Sequence, residues 1–411
     1  MENALNELVH LDQAEKERRG ILYTPAEIQG QVELWADTCR RFEETLPGIR
    51  RVVRWLEKKR RGLIMLTGAG SSGYVGLCVE GLLRVRLERE ITVHESPRLV
   101  SAPAEAFAPG HAVLLVSFAR SGDSPESVGA VELALQHAGN LGHLVVTCNP
   151  EGVMARRARA LGNAALLVLN PLANDRGLAM TASFTNMVIA AQMLGYLGNF
   201  DDSGELVHDL VRAGRSFLAG SANLIKDLCT REEFDRAVFL GSGANLGTAA
   251  ESHLKLQELS GGRVMCGFNT YTGIRHGPMA AVDPRTLVVC FLSEDGYTRS
   301  YELDLLRELR AGKPAARVLL CCSKRREDLQ GLYDYLAEYA PDGSPALPDE
   351  LTPPVYVMAG QLLGLFTALR LGLSPDNPGE ETGINRVVRG VRVYDHRRFL
   401  EDGSLHIIAE R

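Results

Sequence analysis

Residues 62–76 read GLIMLTGAGSSGYVG, and residues 236–250 read RAVFLGSGANLGTAA. Each stretch passes from a short apolar segment through a turn with closely spaced glycines into a segment with helical periodicity. A strand, a glycine turn and a helix in this order form the start of a βα unit. The two turns begin at Gly68 and Gly241, 173 residues apart, and a repeat at that distance predicts two tandem α/β domains rather than a solenoid.

The remaining apolar segments of strand length favour the same fold class. Segments that are apolar on both faces indicate parallel strands in a sheet that helices cover on each side. We therefore predict an α/β protein with two parallel sheets flanked by helices. The predicted strands are Leu63–Leu66, Ile91–His94, Ala112–Phe118, Leu144–Thr147, Ala165–Leu169, Ala237–Leu240, Thr286–Leu292, Arg317–Cys322 and Pro354–Met358. The apolar stretch 355–369 overlaps the last of them, is too short to span a bilayer and indicates a buried helix.

The chain outside the two domains is predicted to be helical. Thr24 followed by Pro25 is typical of a helix N-cap and the first helical position, and an apolar stripe with helical spacing follows. The predicted boundaries are 1–60 for an N-terminal helical extension, 61–200 for the first domain, 201–234 for a helical linker, 235–395 for the second domain and 396–411 for a C-terminal tail.

The composition excludes several classes of protein. The 51 acidic and 45 basic residues give a formal net charge of −6, which argues against general nucleic-acid binding. The eight cysteines include no C-x-x-C pair, which favours a reduced, cytoplasmic protein. The polar N-terminus, MENALNELVHLDQAEKERRG, lacks the pattern of a signal peptide. We expect a cytoplasmic protein with no nucleic-acid and no membrane partner.

The first glycine turn, GAGSSG at 68–73, fits the G-x-G-x-x-G pattern of dinucleotide-binding folds. Glu95 is poorly placed as the acidic partner of that pattern, and a nucleotide-linked dehydrogenase stays one alternative. Ser71 and Ser72 favour a phosphate site, because two hydroxyl groups beside a helix N-terminus can bind an anion. The plainer alternative is that these serines only shape the turn and cap the helix.

A second serine-rich loop, ARSGDSPES at 119–127, follows another predicted strand. Ligands of open α/β sheets bind outside the carboxyl ends of the strands, so the two loops can converge on one phosphate group. Their backbone N–H groups and hydroxyls would hold it without a lysine or arginine clamp. Ser124 also fits the N-cap of the following helix, and the two roles are compatible.

The helix predicted after the second glycine turn carries three charged residues on one face. Glu251, Lys255 and Glu258 stand at positions i, i+4 and i+7. Such spacing is more often a solvated stripe of salt bridges. The position of this helix, directly after the glycine turn of an α/β unit, favours a general base instead. His276 lies in a loop with the sequence RHGP at 275–278, and a histidine in such a loop is a candidate functional residue.

Together these motifs resemble the sugar isomerase (SIS) domain superfamily. Within it, the chain is similar to the AgaS family of galactosamine-6-phosphate deaminase/isomerases, also described as tagatose-6-phosphate ketose/aldose isomerases. The resemblance covers nearly all of residues 62–395 and implies two tandem SIS domains with flavodoxin-like sheets. The resembling stretches are SFARSGDSPESV at 117–128, GLAMTASFTNM at 177–187, FLGSGANLGTAAESHLKLQELS at 239–260, RHGPMA at 275–280 and NRVVRGV at 385–391.

The resemblance to the isomerase half of glucosamine-6-phosphate synthase implies roles for single residues. Glu258 is implied to transfer the proton, with Glu251 and Lys255 as its companions on the helix. His276 is implied to open the sugar ring, reaching the site from a neighbouring subunit. The residues implied to bind phosphate or sugar are Ser71, Ser72, Arg120, Ser121, Ser124 and Leu178.

The chain departs from that relative at two places. Ala119 stands where the relative has a serine, so one phosphate contact is lost or moved. The relative also uses a C-terminal lysine, whereas no lysine follows Lys324 in this chain. Opening of a ketose ring through an imine to that lysine is therefore not expected here.

The resemblance implies conversion of galactosamine or glucosamine 6-phosphate to a ketose 6-phosphate with release of ammonia. The chemistry would be acid–base proton transfer between C1 and C2, with no metal or other cofactor. Two alternatives stay open: a tagatose-6-phosphate aldose/ketose isomerase, and a non-catalytic regulator that binds a sugar phosphate. A histidine supplied by a neighbouring subunit implies a homodimer or a higher homo-oligomer.

Overall fold

The computed structural model describes residues 3–107, 110–199, 203–312, 317–379, 386, 388 and 390–410. The chain forms two compact units, each assembled from three segments. The first unit comprises Leu34–Asn174, Asn186–Ser203 and Ile384–Arg411; the second comprises Met1–Glu33, Asp175–Thr185 and Gly204–Gly383. The domain boundaries predicted from the sequence, which follow the chain continuously, stay a prediction. Of the NRVVRGV stretch, residues 385, 387 and 389 lie outside the described residues.

The first unit is built on a five-stranded parallel sheet. Its strands are β1 (Gly62–Gly68), β2 (Glu90–Glu95), β3 (Ala112–Ala119), β4 (Asn140–Thr147) and β5 (Ala164–Val168). Their order is β2-β1-β3-β4-β5, and every neighbouring pair is parallel. Thr67 of β1 pairs with Ser117 of β3. This register places the segments that leave β1 and β3 side by side at one edge of the sheet.

The second unit repeats this topology. Its strands are β6 (Arg236–Leu240), β7 (Met265–Asn269), β8 (Thr286–Phe291), β9 (Arg317–Cys322) and β10 (Tyr335–Glu338). Their order is β7-β6-β8-β9-β10, again with every pair parallel. Leu240 pairs with Cys290, so the exits of β6 and β8 are also adjacent. The first unit also contains an antiparallel pair, β11 (Arg392–Tyr394) and β12 (Ile407–Glu410).

Helices flank both sheets, as strands that are apolar on both faces require. In chain order they are α1 (Ala4–His10), α2 (Gln13–Arg19), α3 (Thr24–Gly30), α4 (Trp35–Glu57), α5 (Ser71–Leu87), α6 (Ser96–Ser101), α7 (Pro103–Ala106), α8 (Pro125–His137), α9 (Val153–Ala160), α10 (Ala182–Leu194), α11 (Ser203–Arg231), α12 (Asn245–Leu259), α13 (Gly296–Gly312), α14 (Pro353–Arg370) and α15 (His396–Asp402). Among the residues that the structure describes, none of these helices has the length and apolar character needed to cross a membrane.

The structure confirms the α/β class and corrects the prediction of single elements. The predicted strand Pro354–Met358 is wrong: it is the first part of α14, and the overlapping expectation of a buried helix over 355–369 is confirmed. Pro353 and Pro354 stand in the first turn of α14, where a missing N–H breaks no helical hydrogen bond. Strands β7 and β10 escape prediction because they are short, partly exposed edge strands without a continuous apolar run.

Close packing of α12 against α14 fixes the helix that carries the predicted base. A Cβ atom on Gly360 would lie 2.5 Å from the Cβ of Ser252, and one on Gly364 would lie 2.8 Å from the carbonyl oxygen of Lys255. These two glycines therefore allow the helices to approach to backbone contact. Lys255, which lies on the same helix, is fully buried.

Candidate active site

The first glycine turn presents two serines at the start of α5. Gly70 has a φ of 55°, and a Cβ atom on Gly68 would lie 2.4 Å from the carbonyl carbon of Ser72. Only glycine fits this close and left-handed path between β1 and α5. Ser71 and Ser72 follow as the first two residues of α5, and both are buried. The N–H groups and the dipole of a helix N-terminus favour an anion at this position.

The second serine loop leaves β3 beside that turn. Ser121 and Ser124 are partly exposed, and the buried Arg120 donates a hydrogen bond to the carbonyl oxygen of Arg386 at 3.0 Å. The Ser124 hydroxyl caps α8, accepting from the N–H of Ser127 at 3.4 Å. The N-cap role of Ser124 is therefore confirmed. The first unit thus brings the five predicted phosphate-binding residues to one edge of one sheet: Ser71, Ser72, Arg120, Ser121 and Ser124.

The charged face of α12 is a buried ion triad. Glu251 and Lys255 are fully buried, whereas the Glu258 side chain keeps 23% of its exposure. Lys255 Nζ lies 3.3 Å from Glu251 Oε1 and 2.6 Å from Glu258 Oε2. The interpretation of these residues as a solvated stripe is therefore wrong for Glu251 and Lys255. In the triad, the Glu258 carboxylate is partly exposed and is paired with the buried Lys255, which is also paired with the buried Glu251.

Two opposing effects set the pKa of Lys255. Burial, the largest, would lower the pKa of the ammonium group, and the adjacent Glu251 and Glu258 carboxylates raise it. The carboxylates prevail, and the pKa of Lys255 lies above its ordinary value. Lys255 is thus a charged donor to Glu258 rather than a neutral amine that accepts protons.

His276 lies in a loop of the second unit and is exposed. It follows a short 3₁₀ turn at Gly273–Arg275, and its backbone N–H donates to the carbonyl oxygen of Gly273 at 3.0 Å. Gly277, the next residue, has a φ of 121°, which only glycine adopts without strain. The backbone therefore holds His276 at the protein surface, where its ring can contact solvent or another molecule.

Sequence reasoning missed the residues that hold the loop around Leu178. Leu178 is buried, and its N–H donates to the carbonyl oxygen of Asp376 at 2.9 Å. The Glu27 carboxylate accepts from the N–H of Arg176 at 2.5 Å and from the N–H of Gly177 at 3.3 Å. These hydrogen bonds tie the backbone of residues 176–178 to Glu27 and Asp376 within the second unit.

Burial is the main reason that the pKa of Glu27 rises, to about 7. The nearby Asp175 and Asp376 carboxylates raise it further, and the two backbone N–H donors oppose the rise. The sequence did contain a signal, because Thr24 and Glu27 have the spacing of a capping box. In the structure the helix begins at Thr24, and the Thr24 hydroxyl donates to Asp376 Oδ1 at 2.8 Å instead of capping α3.

The predicted residues divide between the two units. The first unit holds the serine loops with Arg120, and the second holds Glu251, Lys255, Glu258, His276 and Leu178. Across the described part of the chain, no group of three His, Cys, Asp or Glu side chains is placed to bind a metal ion.

Comparison with known proteins defines the class of this fold. The family model of the SIS domain matches residues 232–328, which cover β6 to β9 of the second unit. The crystal structure of tagatose-6-phosphate ketose/aldose isomerase from Escherichia coli superimposes with a TM-score of 0.82 at 32% identity, over 91% of this chain and 96% of that one. With the strand order repeated in the first unit, the fold is that of two tandem SIS domains.

Sequence relatives identify the family within that class. D-galactosamine-6-phosphate deaminase AgaS from Escherichia coli is 33% identical over 383 residues, which cover 90% of this chain and 95% of the relative. The protein of the same name from Shewanella sp. strain ANA-3 is 32% identical over 381 residues, covering 91% and 92%. The chain belongs to the AgaS family, and the resemblance found in its motifs is confirmed.

Proposed function

We propose that this protein is a cytoplasmic enzyme that converts a hexosamine 6-phosphate to a ketose 6-phosphate and ammonia. The observation that carries the proposal is the α12 triad, in which Lys255 holds the partly exposed Glu258 carboxylate at 2.6 Å. A regulator that only binds a sugar phosphate has no need of such a buried ion triad. The similarity to proteins named D-galactosamine-6-phosphate deaminase supports the reaction class.

The phosphate group of the substrate would be held by the serine loops of the first unit. Ser71, Ser72, Ser121 and Ser124 supply hydroxyls, and the N-termini of α5 and α8 supply N–H groups and favourable dipoles. Arg120, which belongs to the second loop, adds a positive charge. Leu178 would contact the sugar through its backbone.

The chemistry would begin with ring opening at His276, which moves a proton between O5 and O1. Glu258 then removes the proton from C2 of the open-chain aldehyde, giving an enolamine, and returns it to C1. The product at C2 is a protonated ketimine. Water adds to this carbon, the C–N bond breaks, and ammonia leaves with the ketose. The step consumes one water per ammonia, so the deamination is formally a hydrolysis.

A second candidate is isomerisation of tagatose 6-phosphate. The structural similarity to a protein solved as tagatose-6-phosphate ketose/aldose isomerase favours it. The aldose of that pair carries a hydroxyl group on C2 in place of the amine, and the same proton transfer between C1 and C2 by Glu258 interconverts aldose and ketose without loss of ammonia. The two reactions therefore share a base and differ only in the substituent at C2.

The exposure of His276 supports a site completed by a second copy of the chain. A histidine that opens the ring within its own subunit would be expected beside Glu258 in a sheltered pocket. An exposed loop histidine fits better with a homodimer or higher homo-oligomer in which each subunit lends this side chain to its neighbour.

The experiment that tests the proposal measures ammonia release from galactosamine 6-phosphate and from glucosamine 6-phosphate. Wild type and Glu258→Gln are compared, because the amide keeps the shape of the side chain and cannot accept the proton. We expect release by the wild type from one of the two sugars. The variant should be at least ~10²-fold slower, the smaller part of what positioned acid–base catalysis supplies.

The other possible outcomes would point to a different base or to a different function. Full activity of Glu258→Gln would show that another residue is the base. No ammonia from either sugar, together with turnover of tagatose 6-phosphate, would establish the simple isomerase. Binding without any turnover would establish the regulator. A shift in nicotinamide fluorescence on mixing with the protein would instead revive the dehydrogenase alternative.

A further inference from the structure

The two units contain the same glycine turn. Gly70 and Gly243 have φ values of 55° and 53°. A Cβ atom on Gly68 would lie 2.4 Å from backbone atoms of the following helix, and one on Gly241 would lie 2.0 Å from the carbonyl oxygen of Asn245. The backbone of an anion-binding turn is thus present twice, once after β1 and once after β6.

The side chains of the second turn do not suit a phosphate. Ala244 and Asn245 occupy the places that two serines fill in the first turn. The Asn245 side-chain oxygen is already engaged, since it accepts from the hydroxyls of Thr248 at 3.1 Å and Thr352 at 3.0 Å. The second turn therefore offers no free hydroxyl pair to a bound anion.

The loop that leaves β8 differs from its counterpart in charge. The Thr67–Ser117 pair of the first sheet corresponds to the Leu240–Cys290 pair of the second. Counted from Ser117 and Cys290, Ser293 and Glu294 take the places of Arg120 and Ser121. Where the first unit has an arginine followed by a serine, the second unit has a serine followed by a glutamate. An incoming phosphate would meet a like charge at this edge of the sheet.

The backbone donors of this loop are taken by carboxyl groups of the chain itself. The N–H of Ser293 donates to Glu302 Oε2 at 2.8 Å, and the N–H of Glu294 donates to Asp349 Oδ1 at 2.7 Å. The Ser293 hydroxyl also donates to the Asp349 carboxylate. Glu302, on α13, is fully buried. Two side chains therefore sit where the first unit presents its loop to a ligand.

We propose that the second SIS domain contains an anion cradle that Glu302 and Asp349 fill permanently, and that removing the Glu302 carboxyl group opens it to a small carboxylate. Of the two glycine turns, only the one in the first unit then binds phosphate. The phosphate site rests on the proposed function, whereas the filled cradle rests only on the contacts of Glu302 and Asp349. It explains why a duplicated fold with two glycine turns keeps serines at only one of them.

The groups around Glu302 act on its pKa in two opposite directions, and only the hydrogen-bond donors and Arg299 favour the anion. Burial raises the pKa of Glu302 to about 7, the Asp349 charge raises it further, and the Ser293 N–H, the Ser242 hydroxyl and the Arg299 charge oppose the rise. A buried carboxyl group with a donor at 2.8 Å is held in place by that hydrogen bond rather than by an ion pair of its own.

Acetate rescue of Glu302→Ala tests the filled cradle directly. The substitution keeps Cβ and removes a methylene and a carboxylate, which together have the size of acetate. We expect sodium acetate, against sodium chloride at equal ionic strength, to raise the Tm of this variant by about 3 °C. Wild type and Asp304→Ala, a surface change on the same helix, should gain nothing. A folded Glu302→Ala that gains no more than the wild type would overturn the proposal.

A second measurement holds even if that variant does not fold. Glucitol 6-phosphate has no carbonyl group and cannot react, so its stoichiometry can be measured by calorimetry on the wild type and on Ser71→Ala/Ser121→Ala. We expect one molecule per wild-type chain and loss of binding in the double variant. Two molecules per chain, or one retained in the double variant, would contradict a filled second cradle. No binding to the wild type would count against the phosphate site of the proposed function. The filled cradle would then be tested by the acetate experiment.

Discussion

Lys255 Nζ lies 2.6 Å from Glu258 Oε2, at the end of a lysine side chain that is fully buried. The same ammonium group lies 3.3 Å from Glu251 Oε1, so one buried cation links a buried carboxylate to a partly exposed one. A lysine so placed cannot turn away from α12 without leaving its charge unpaired in the protein interior. The partly exposed Glu258 carboxylate is therefore positioned by a lysine in the core of the second unit.

Lys255→Met should destabilise the protein strongly. The methionine fills most of the lysine volume but leaves the two carboxylates facing each other without a cation. Breaking a buried ion pair by removing one partner typically costs about 3–5 kcal/mol. We expect a fall of this size in the free energy of unfolding, measured by urea denaturation at neutral pH.

Two further variants make that result specific. Lys226→Met removes the cation of an exposed pair with Glu7 and should cost less than about 1 kcal/mol. Adding Glu251→Gln to Lys255→Met should recover part of the loss, because it removes one of the uncompensated charges. A loss for Lys255→Met as small as that for Lys226→Met would show that the triad contributes nothing to stability.

Ser71→Ala should weaken substrate binding more than it slows turnover. A hydrogen bond to a charged group is worth about 1.5–3 kcal/mol, so KM should rise by roughly 10- to 100-fold while kcat changes little. Steady-state ammonia release measures both constants. Ser101→Ala, an exposed serine in the same unit, is the matched control. A KM for Ser71→Ala equal to that of the wild type would show that this hydroxyl does not bind the phosphate group.

Two inactive variants should restore each other if His276 acts across subunits. In a mixed dimer of Glu258→Gln and His276→Gln, one site carries both defects and the other carries neither. Random mixing of a symmetric dimer should therefore return about a quarter of wild-type activity. The measurement is ammonia release by coexpressed, differently tagged chains. Activity that stays at the level of the separate variants would place His276 in the same subunit as its Glu258.

Glu302→Gln should change how stability depends on pH. The pKa of Glu302 is about 7 in the folded protein, above the ordinary value of 4.5. A raised carboxyl pKa contributes stability that is fully present below pH 4.5 and is lost as the pH rises through 7. Relative to the glutamine variant, the wild type should therefore lose up to about 3 kcal/mol once the pH exceeds 7.

Urea denaturation of both proteins over this pH range makes the comparison. Asp304→Asn, on the surface of the same helix, should follow the wild type at every pH. If the difference between wild type and Glu302→Gln is constant from pH 4.5 to above pH 7, the buried carboxyl group does not titrate there.

The sequence alone determined the fold class and most of the strands. Strands buried on both faces leave a continuous apolar signal, and the turns at Gly68 and Gly241 mark where each βα unit begins. Prediction from apolar runs failed where a strand is not buried on both faces, or where an apolar run belongs to a helix. The edge strand Met265–Asn269 is half-exposed, and Pro354–Met358 is apolar because it belongs to a buried helix.

The sequence also determined which residues are candidates for chemistry, but not their surroundings. The spacing of Glu251, Lys255 and Glu258 fixes them on one helical face, because i, i+4 and i+7 lie together on any helix. Whether that face meets water depends on how α12 packs against other elements, and its close partner α14 has Gly360 and Gly364 more than a hundred residues away in the chain. Local sequence carries no information about such a partner.

Only the tertiary structure decided the roles of Glu27, Glu302 and Asp376. Each makes its defining contact with a backbone group that is distant in sequence or lies in a loop whose path the sequence does not specify. Periodicity and motifs report the geometry within an element, which short-range sterics fix. Burial, pKa and hydrogen-bond partners are fixed by packing between elements, and that information exists only once the chain has folded.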